Sequence, residues 1–466
     1  MRVFLVLFFL AFSGSVFAED AVSLNPVAPV LHEGRVKPLD SFARIMLRNI
    51  YGEDAFDGGT AVEWLAGVVT DPAAAALQDV FYVLQRDVKG FYGLDLSEKY
   101  FSAQDIGASL VDRENEIDAL LNTPESDLTS GQLDALVLYE DLLALTGLMK
   151  GEVIVYVDIE AAHAGRLQME VWYNALQPYQ WAMGFYGVAL LLGVLAVVKR
   201  EGIAVNLAAF VALFFGGLLH GGAIAARVYI LERPPVGTLY ESVLFVGFVC
   251  ALWALVSCVR QPRIFHLLAG AFAALAILVV APYSTAQAET KEMLVAVLNT
   301  NFWLATHVLI ITAGYGLCIL TAILAHLGFV VRGEGLDGTV YRTSIAALLF
   351  MSVGTILGGI WADQSWGRFW GWDPKENGAL LICLWLIWLQ HGRHSGHLSG
   401  ARFLAGCAFL NVVVAVSWFG VNLLGVGLHS YGFVNGMAVG LGAFCGAQIA
   451  LIVGLLMWRV RRGLAA

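Results

Sequence analysis

The residues best suited to chemistry in this chain are tryptophans and histidines. Trp361-Ala-Asp-Gln-Ser-Trp-Gly-Arg-Phe-Trp-Gly-Trp-Asp-Pro-Lys-Glu376 gathers Trp361, Trp366, Phe369, Trp370 and Trp372 beside Arg368, Asp373, Lys375 and Glu376, between two apolar runs. Charge at that density is costly inside lipid, while so much indole suits a membrane–water interface. The segment predicts a boundary surface for a large, flat, amphipathic ligand, and haem is the obvious candidate. Two histidines complete the picture. His307 opens an apolar run in Phe302-Trp-Leu-Ala-Thr-His-Val308, and His429 lies in the glycine-lined Gly425-Val-Gly-Leu-His-Ser-Tyr-Gly432. Neutral imidazole is a common axial ligand of haem iron, and an ionisable group within a membrane suggests a purpose.

The elements that must position these residues are membrane helices. The chain is 466 residues long, 59% hydrophobic and 14% charged, with a mean hydropathy of +0.72. That composition belongs to a polytopic membrane protein. Residues 19–178 hold 27 Asp/Glu against 10 Lys/Arg, whereas 179–466 hold 10 against 16. An acidic aqueous domain therefore precedes a slightly basic membrane domain. A net charge of −10 without a basic cluster offers nucleic acid no footprint. The six cysteines lie in apolar runs and form no Cys-x-x-Cys, which argues against a disulfide framework, a thiol oxidoreductase or a zinc site. No Cys-x-x-Cys-His is present, so the chain is not itself a c-type cytochrome.

Residues 1–18 read as a signal peptide: Arg2, a short apolar core, and small Val16 and Ala18 before the cleavage point. The domain 19–178 reads as mainly helical and extracytoplasmic, with an amphipathic helix near 131–149, an extended run at 153–159, and His32 and His163 as ordinary surface residues. Apolar runs follow at 180–198, 203–222, 239–259, 264–282, 303–331, 344–361, 377–391, 402–424 and 433–458. Most approach or exceed the roughly 20 residues that cross a bilayer. The expected fold is thus an all-α polytopic membrane protein of about nine transmembrane helices, preceded by the signal peptide and the extracytoplasmic domain. With 19–178 outside, eleven Lys/Arg fall in inside loops and five outside, in keeping with the positive-inside rule. The Trp segment, His220, His307 and His429 then lie towards the outer face, and His266, His326, His391, His394 and His397 towards the inner one.

Two helix starts are written in the sequence. Thr238-Leu-Tyr-Glu241 predicts a capping box, and Asp373-Pro-Lys-Glu376 predicts an Asp N-cap followed by Pro at the first helical position. The pairs Gly217/Gly221 and Gly354/Gly358 predict close helix packing.

Trp366-Gly-Arg-Phe-Trp-Gly-Trp-Asp-Pro-Lys-Glu376 resembles the tryptophan-rich WWD motif of the haem-handling family that includes CcsA/ResC, CcmC and CcmF. Leu239-Tyr-Glu-Ser242, the His307 context, His391 and Asn422-Leu-Leu-Gly-Val-Gly-Leu-His-Ser-Tyr-Gly432 extend the similarity over about 180–466, towards the CcsA/ResC branch of System II cytochrome c biogenesis. Gly34-Arg-Val-Lys-Pro-Leu-Asp40 is similar to the extracytoplasmic region preceding CcsA in fused CcsBA proteins. The resemblance implies that His307 and His429 are axial ligands of haem b beside Trp361, Trp366, Trp370 and Trp372. It implies that His391 serves an inner haem site, and it assigns no residue to acid–base catalysis. It further implies attachment of haem to Cys-x-x-Cys-His apocytochrome c through thioethers, as part of a haem lyase (holocytochrome c synthase) complex in the bacterial inner membrane. The partners implied are a CcsB/ResB-like subunit and a thioredoxin-like thiol reductant. Because no CcsB-like portion lies upstream, a partner subunit, or else His220, His266 or His326, must supply the second inner-site histidine. The competing readings are a haem transporter or chaperone with ligation in a partner, and a membrane b-type electron-transfer subunit.

Overall fold

In a computed structural model, residues 24–111, 113–124, 127–158, 161–199, 202–260, 264–284, 291, 294, 300–331, 335–421 and 437–462 are described. The expected signal peptide and His429 lie outside the described residues. The chain forms two compact units: residues 1–175 with 291–293, and residues 176–290 with 294–466.

The first unit is mainly helical with short strands. β1 (Pro29–His32) and β2 (Arg35–Pro38) form a hairpin whose two turn residues, Glu33 and Gly34, both have positive φ, the turn conformation that matches strand twist. α1 (Leu39–Tyr51) follows, then the small hairpin β3 (Ala55–Phe56) and β4 (Gly59–Thr60), α2 (Ala61–Thr70) and α3 (Pro72–Ala76). β5 (Asp79–Tyr82) pairs with β6 (Tyr100–Ser102) around α4 (Arg86–Tyr92). α5 (Ala103–Leu110), α6 (Glu114–Leu121) and α7 (Ser130–Met149) complete the helical layer. Reciprocal capping boxes open three of these helices, at Thr60/Glu63, Ser102/Asp105 and Thr129/Gln132. The extended run expected at 153–159 is only β7 (Val155–Tyr156), which pairs antiparallel with β1. These strands sit within an otherwise helical expectation because each is two to four residues long, too short for a period-two pattern to register.

α8 (Ala161–Leu176) carries the unit's buried charge cluster. Glu170, 1% exposed, accepts both Arg35 Nη1 and Nη2 at 2.7 and 2.9 Å and the Ser41 hydroxyl at 2.7 Å, with Lys291 Nζ at 3.5 Å. Burial alone would raise its pKa; Lys291, Arg35 and Ser41 outweigh it and hold the carboxyl below the usual range. Asn174 extends the network, accepting from Lys291 and donating to Asp40 and Ser41. Two readings of this unit change. Lys291, expected in a loop of the membrane domain, groups here, and His32 is half-buried, edge-on to Phe42 and accepting from Lys37.

The second unit is a multi-pass helical bundle: α9 (Pro178–Lys199), α10 (Ile203–Leu231), α11 (Leu239–Arg260), α12 (Ile264–Val280), α13 (Asn301–Val330), α14 (Leu336–Trp366), α15 (Pro374–His394), α16 (Gly400–Trp418) and α17 (Met437–Arg461). Among the described residues, eight of these are long and apolar enough to cross a membrane. α15, the ninth, has 21 residues, about 31 Å of helix, but carries Lys375, Glu376, His391, Arg393 and His394 at its ends. α13 packs against α11, α12, α14 and α16. Small residues let the backbones approach: a methyl at Gly314 would lie 2.7 Å from Met351 of α14, and one at Gly316 would lie 3.2 Å from the Val246 carbonyl of α11.

α10 runs nine residues beyond its expected apolar stretch because Arg227, which ought to end it, is neutralised. Glu241 of α11 accepts Arg227 Nη2 at 3.0 Å, Arg233 Nη1 at 2.5 Å and the Gly237 amide at 3.0 Å. The three side chains are 1%, 7% and 1% exposed for Arg227, Arg233 and Glu241. The expected helix start at Thr238 is present, with Thr238 accepting the Glu241 amide at 3.2 Å, while the Glu241 carboxylate also accepts from the two arginines and the Gly237 amide.

Candidate functional site

The Trp segment is built by two helix ends. α14 stops at Trp366, where Gly367 takes the left-handed conformation and its amide bonds the Asp363 carbonyl. α15 restarts at Pro374, with Asp373 as N-cap and a complete capping box to Glu376. Glu376 also accepts the Gly371 amide at 2.8 Å and lies 3.9 Å from Arg368, so the acids of the segment hold its backbone. Trp372 is a non-glycine residue at φ 58° and is 70% exposed, a conformation that costs on the order of 1–3 kcal/mol. Asn377 secures it by donating to the Trp372 carbonyl at 2.9 Å. Trp370 meets Trp372 edge to face at 6.0 Å, and Trp366 and Trp370 are half-buried.

His307 lies in a single π-helical turn, Leu304–Val308, at the start of α13. Such turns are rare and concentrate at functional sites. Its Nδ1 is 2.8 Å from the Gly354 carbonyl of α14. A carbonyl only accepts, so in this contact Nδ1 carries a proton and donates. A backbone carbonyl bonded to the far nitrogen is how ligating imidazoles are commonly oriented. The ring lies 5.7 Å from Trp361, which stacks on Trp303 at 6.4 Å and 14°. Trp303 in turn donates Nε1–H to Gln364 at 3.0 Å.

Two consecutive glycines join the histidine to the Trp loop. A methyl on Gly358 would come within 2.6 Å of His307 Cε1, and one on Gly359 within 2.6 Å of Phe369 Cζ. Gly354 touches Ile311 as expected for helix packing, but Gly358 makes room for the imidazole. Both glycines thus bring α14 against α13, the close helix packing expected of the pair. Gly217 and Gly221 do face α11, at Leu255 and Phe248.

The structure thus brings together His307, Trp361 and the Trp loop, and leaves His391 apart. His391 is exposed in the last turn of α15, seventeen residues from Pro374, about 25 Å along the helix. Its Nδ1 donates to the Ile387 carbonyl at 3.0 Å. Of the alternative inner histidines, His220 is excluded by its bonding. Nε2–H donates to the Leu244 carbonyl at 3.0 Å and Nδ1 accepts the Tyr186 hydroxyl at 3.1 Å, so neither nitrogen is left for iron. His266 is buried. His326 donates Nδ1–H to Ala322 at 2.7 Å, while its buried Nε2 has no hydrogen-bond partner among the described residues. Trp303 and Gln364 join the site from outside the residues that the sequence alone points to. The four-residue spacing of Trp303 and His307, which puts both on one helix face, is the signal that finds the first.

A family model described as Cytochrome C assembly protein matches residues 236–429, from just before α11 to His429. A cytochrome c biogenesis protein CcsA from Chlamydomonas reinhardtii is 32% identical over 221 residues, which cover 43% of this chain and 62% of that protein. The chain therefore spans less than two thirds of that relative. A CcsA from Parasynechococcus marenigrum (strain WH8102) is 31% identical over 243 residues, covering 43% of this chain and 79% of its own. Among solved structures, a chain described as Cytochrome c Heme Lyase CcmF aligns with a TM-score of 0.46 and 16% identity, over 65% of this chain and 52% of that one. With sequence similarity of that extent to relatives of that kind, this chain belongs to the CcsA family of cytochrome c biogenesis proteins.

Proposed function

We propose that this protein binds haem b as a substrate at the Trp-loop end of the bundle and presents it for covalent attachment to apocytochrome c. The observation that carries this reading is the setting of His307, whose Nδ1 is 2.8 Å from the Gly354 carbonyl and whose ring lies 5.7 Å from Trp361, at the edge of the Trp segment. His307 and His429 would hold the iron through their imidazoles, and Trp366, Trp370 and Trp372 would offer indole faces to the porphyrin. Iron affinity for neutral imidazole and the apolar faces of indole suit the two characters of haem. His391 contributes to a second site at the opposite end, with a CcsB/ResB-like subunit supplying its partner ligand.

Attachment requires little acid–base machinery. Each cysteine thiol of a Cys-x-x-Cys-His peptide adds across one vinyl group: a C–S bond forms, the thiol hydrogen passes to the other vinyl carbon, and no net oxidation occurs. Holding peptide and haem in register turns an encounter between two partners into a reaction within one complex, which removes much of the entropic barrier. The cysteines must arrive reduced, which calls for a thioredoxin-like reductant. The Lys/Arg distribution supports a topology in which the Trp loop and residues 19–178 face the extracytoplasmic side of a bacterial inner membrane.

Coexpression of the chain with a CcsB/ResB-type subunit and a Cys-x-x-Cys-His client, followed by a haem stain of the denatured client, tests this reading. Thioether-linked haem in the client is expected. Haem transferred without a covalent bond would show a transporter with ligation elsewhere.

Gly358→Val offers a test of the His307 setting. The branched side chain would occupy the space of the imidazole and break its bond to Gly354. Loss of such an orienting partner costs about 10- to 100-fold in metal affinity. Haem copurifying per chain should fall by that order while membrane expression persists; an unchanged ratio would refute the orientation.

A further inference from the structure

The Trp segment carries Asp363, Arg368, Asp373, Lys375 and Glu376, and most of these charges have a task in the fold. Asp373 caps α15. Glu376 accepts the Gly371 and Asp373 amides, at 2.8 and 3.1 Å. Lys375 donates from Nζ to the Trp418 carbonyl at 2.7 Å, where the end of α16 leaves carbonyls without intrahelical partners. Asp363 is exposed on the last turn of α14. Arg368 is different. Among the described residues its guanidinium makes no hydrogen bond; its one ionic contact, with Glu376, is 3.9 Å long, and its side chain is 35% exposed. Five N–H donors in a planar fork are therefore open to solvent or to a ligand.

The fork is nonetheless seated. A methyl on Gly371 would coincide with the Arg368 guanidinium, so the missing side chain at 371 is the space the cation occupies. The next residue, Phe369, packs on Gly359, beside the Gly358 that makes room for His307. A long side chain free in solvent loses rotamer freedom when it binds, and one already laid over backbone loses less. At 3.9 Å, Glu376 steadies the charge without occupying the donors.

We propose that Arg368 recognises the carboxylate edge of the porphyrin that the Trp loop receives, and thereby sets which edge is left for the peptide. This rests on the haem reading above. Haem b carries its two propionates and its two vinyl groups on opposite edges of the ring. Indole faces attract the flat apolar ring without distinguishing those edges, whereas a guanidinium fork matches a carboxylate. A propionate held at Arg368 leaves the vinyl edge for the thiols. The ligand class is a flat amphipathic ring with a free carboxylate.

The test uses the full chain in detergent, purified from haem-starved cells and titrated with ferric haem b or with its dimethyl ester, in which both carboxylates are blocked. Absorbance reports binding of each form. Comparing the ratio of the two dissociation constants between wild type and variants cancels the greater apolarity of the ester. Arg368→Gln is expected to lower the preference for the free acid about 10-fold, the effect of one charge-assisted bond at a partly exposed site. Arg368→Lys should retain part of that preference. If Arg368→Gln does not accumulate, Gly371→Ala displaces the guanidinium while keeping its charge, and the same loss is expected. His307→Gly should weaken both forms alike. A ratio unchanged in Arg368→Gln, or in Gly371→Ala where that variant stands in, would overturn the proposal and leave the haem reading standing if His307→Gly still weakens both forms. Acid and ester that bind His307→Gly as tightly as wild type would overturn the haem reading itself.

Discussion

Replacing His307 with glycine is expected to abolish holocytochrome c formation, with a loss on the order of 100-fold or more. Removing an orienting group alone costs 10- to 100-fold in metal affinity, and removing the ligand costs at least as much. Glycine also empties the space between Trp361 and Gly358, so no neighbour takes over the Nε2 position. The measurement is the haem-stained yield of a Cys-x-x-Cys-His client, normalised to chain in the membrane. His220→Gly is the informative control. Both nitrogens of His220 are bonded within the bundle, so it should reduce stability and leave haem content per folded chain unchanged.

The largest stability effect is expected at Glu241. Alanine there would strand Arg227 and Arg233 in a buried site, and breaking a buried ion pair by removing one partner costs about 3–5 kcal/mol. That is a large share of the stability of most domains. Glu241→Ala should therefore accumulate poorly and unfold earlier in a denaturant titration in detergent. Glu241→Gln keeps acceptor geometry for one arginine and should fall between. Indistinguishable titration curves for Glu241→Ala and the wild type would contradict the triad.

Much of this architecture was legible because lipid permits few solutions. A helix that crosses a membrane must be long and apolar, and the runs show it. Local capping was equally legible at Asp373, where Asp, Pro and Glu stand at the spacing a helix start requires. What escaped was everything that depends on distant partners. Glu241 sits in a sequence that reads as a capping box, yet its carboxylate turns to arginines eight and fourteen residues upstream. Arg227 lies beyond the apolar run 203–222 and reads as part of an outside connection until that pairing is known. The tautomer of His307 needs a carbonyl 47 residues away, and the space for its ring needs Gly358 on another helix. Lys375 looks like one more charge in a polar loop, and its bond to the Trp418 carbonyl appears only where α16 ends.

Within the site, residue types were readable and geometry was not. The indoles announce a flat apolar ligand, but not that Trp361 is buried in a stack with Trp303 while Trp372 stands exposed in a left-handed conformation. The second pattern holds an indole outward at a cost in backbone strain.

The central claim is that haem iron is bonded by His307 Nε2 at this surface. Its most direct test is the EPR spectrum of ferric haem bound to the purified chain, recorded for the wild type and for His307→Gly. The account predicts a low-spin, bis-imidazole signal in the wild type and its replacement by a high-spin signal, or loss of haem, in the variant. A low-spin signal that persists unchanged in His307→Gly would contradict it.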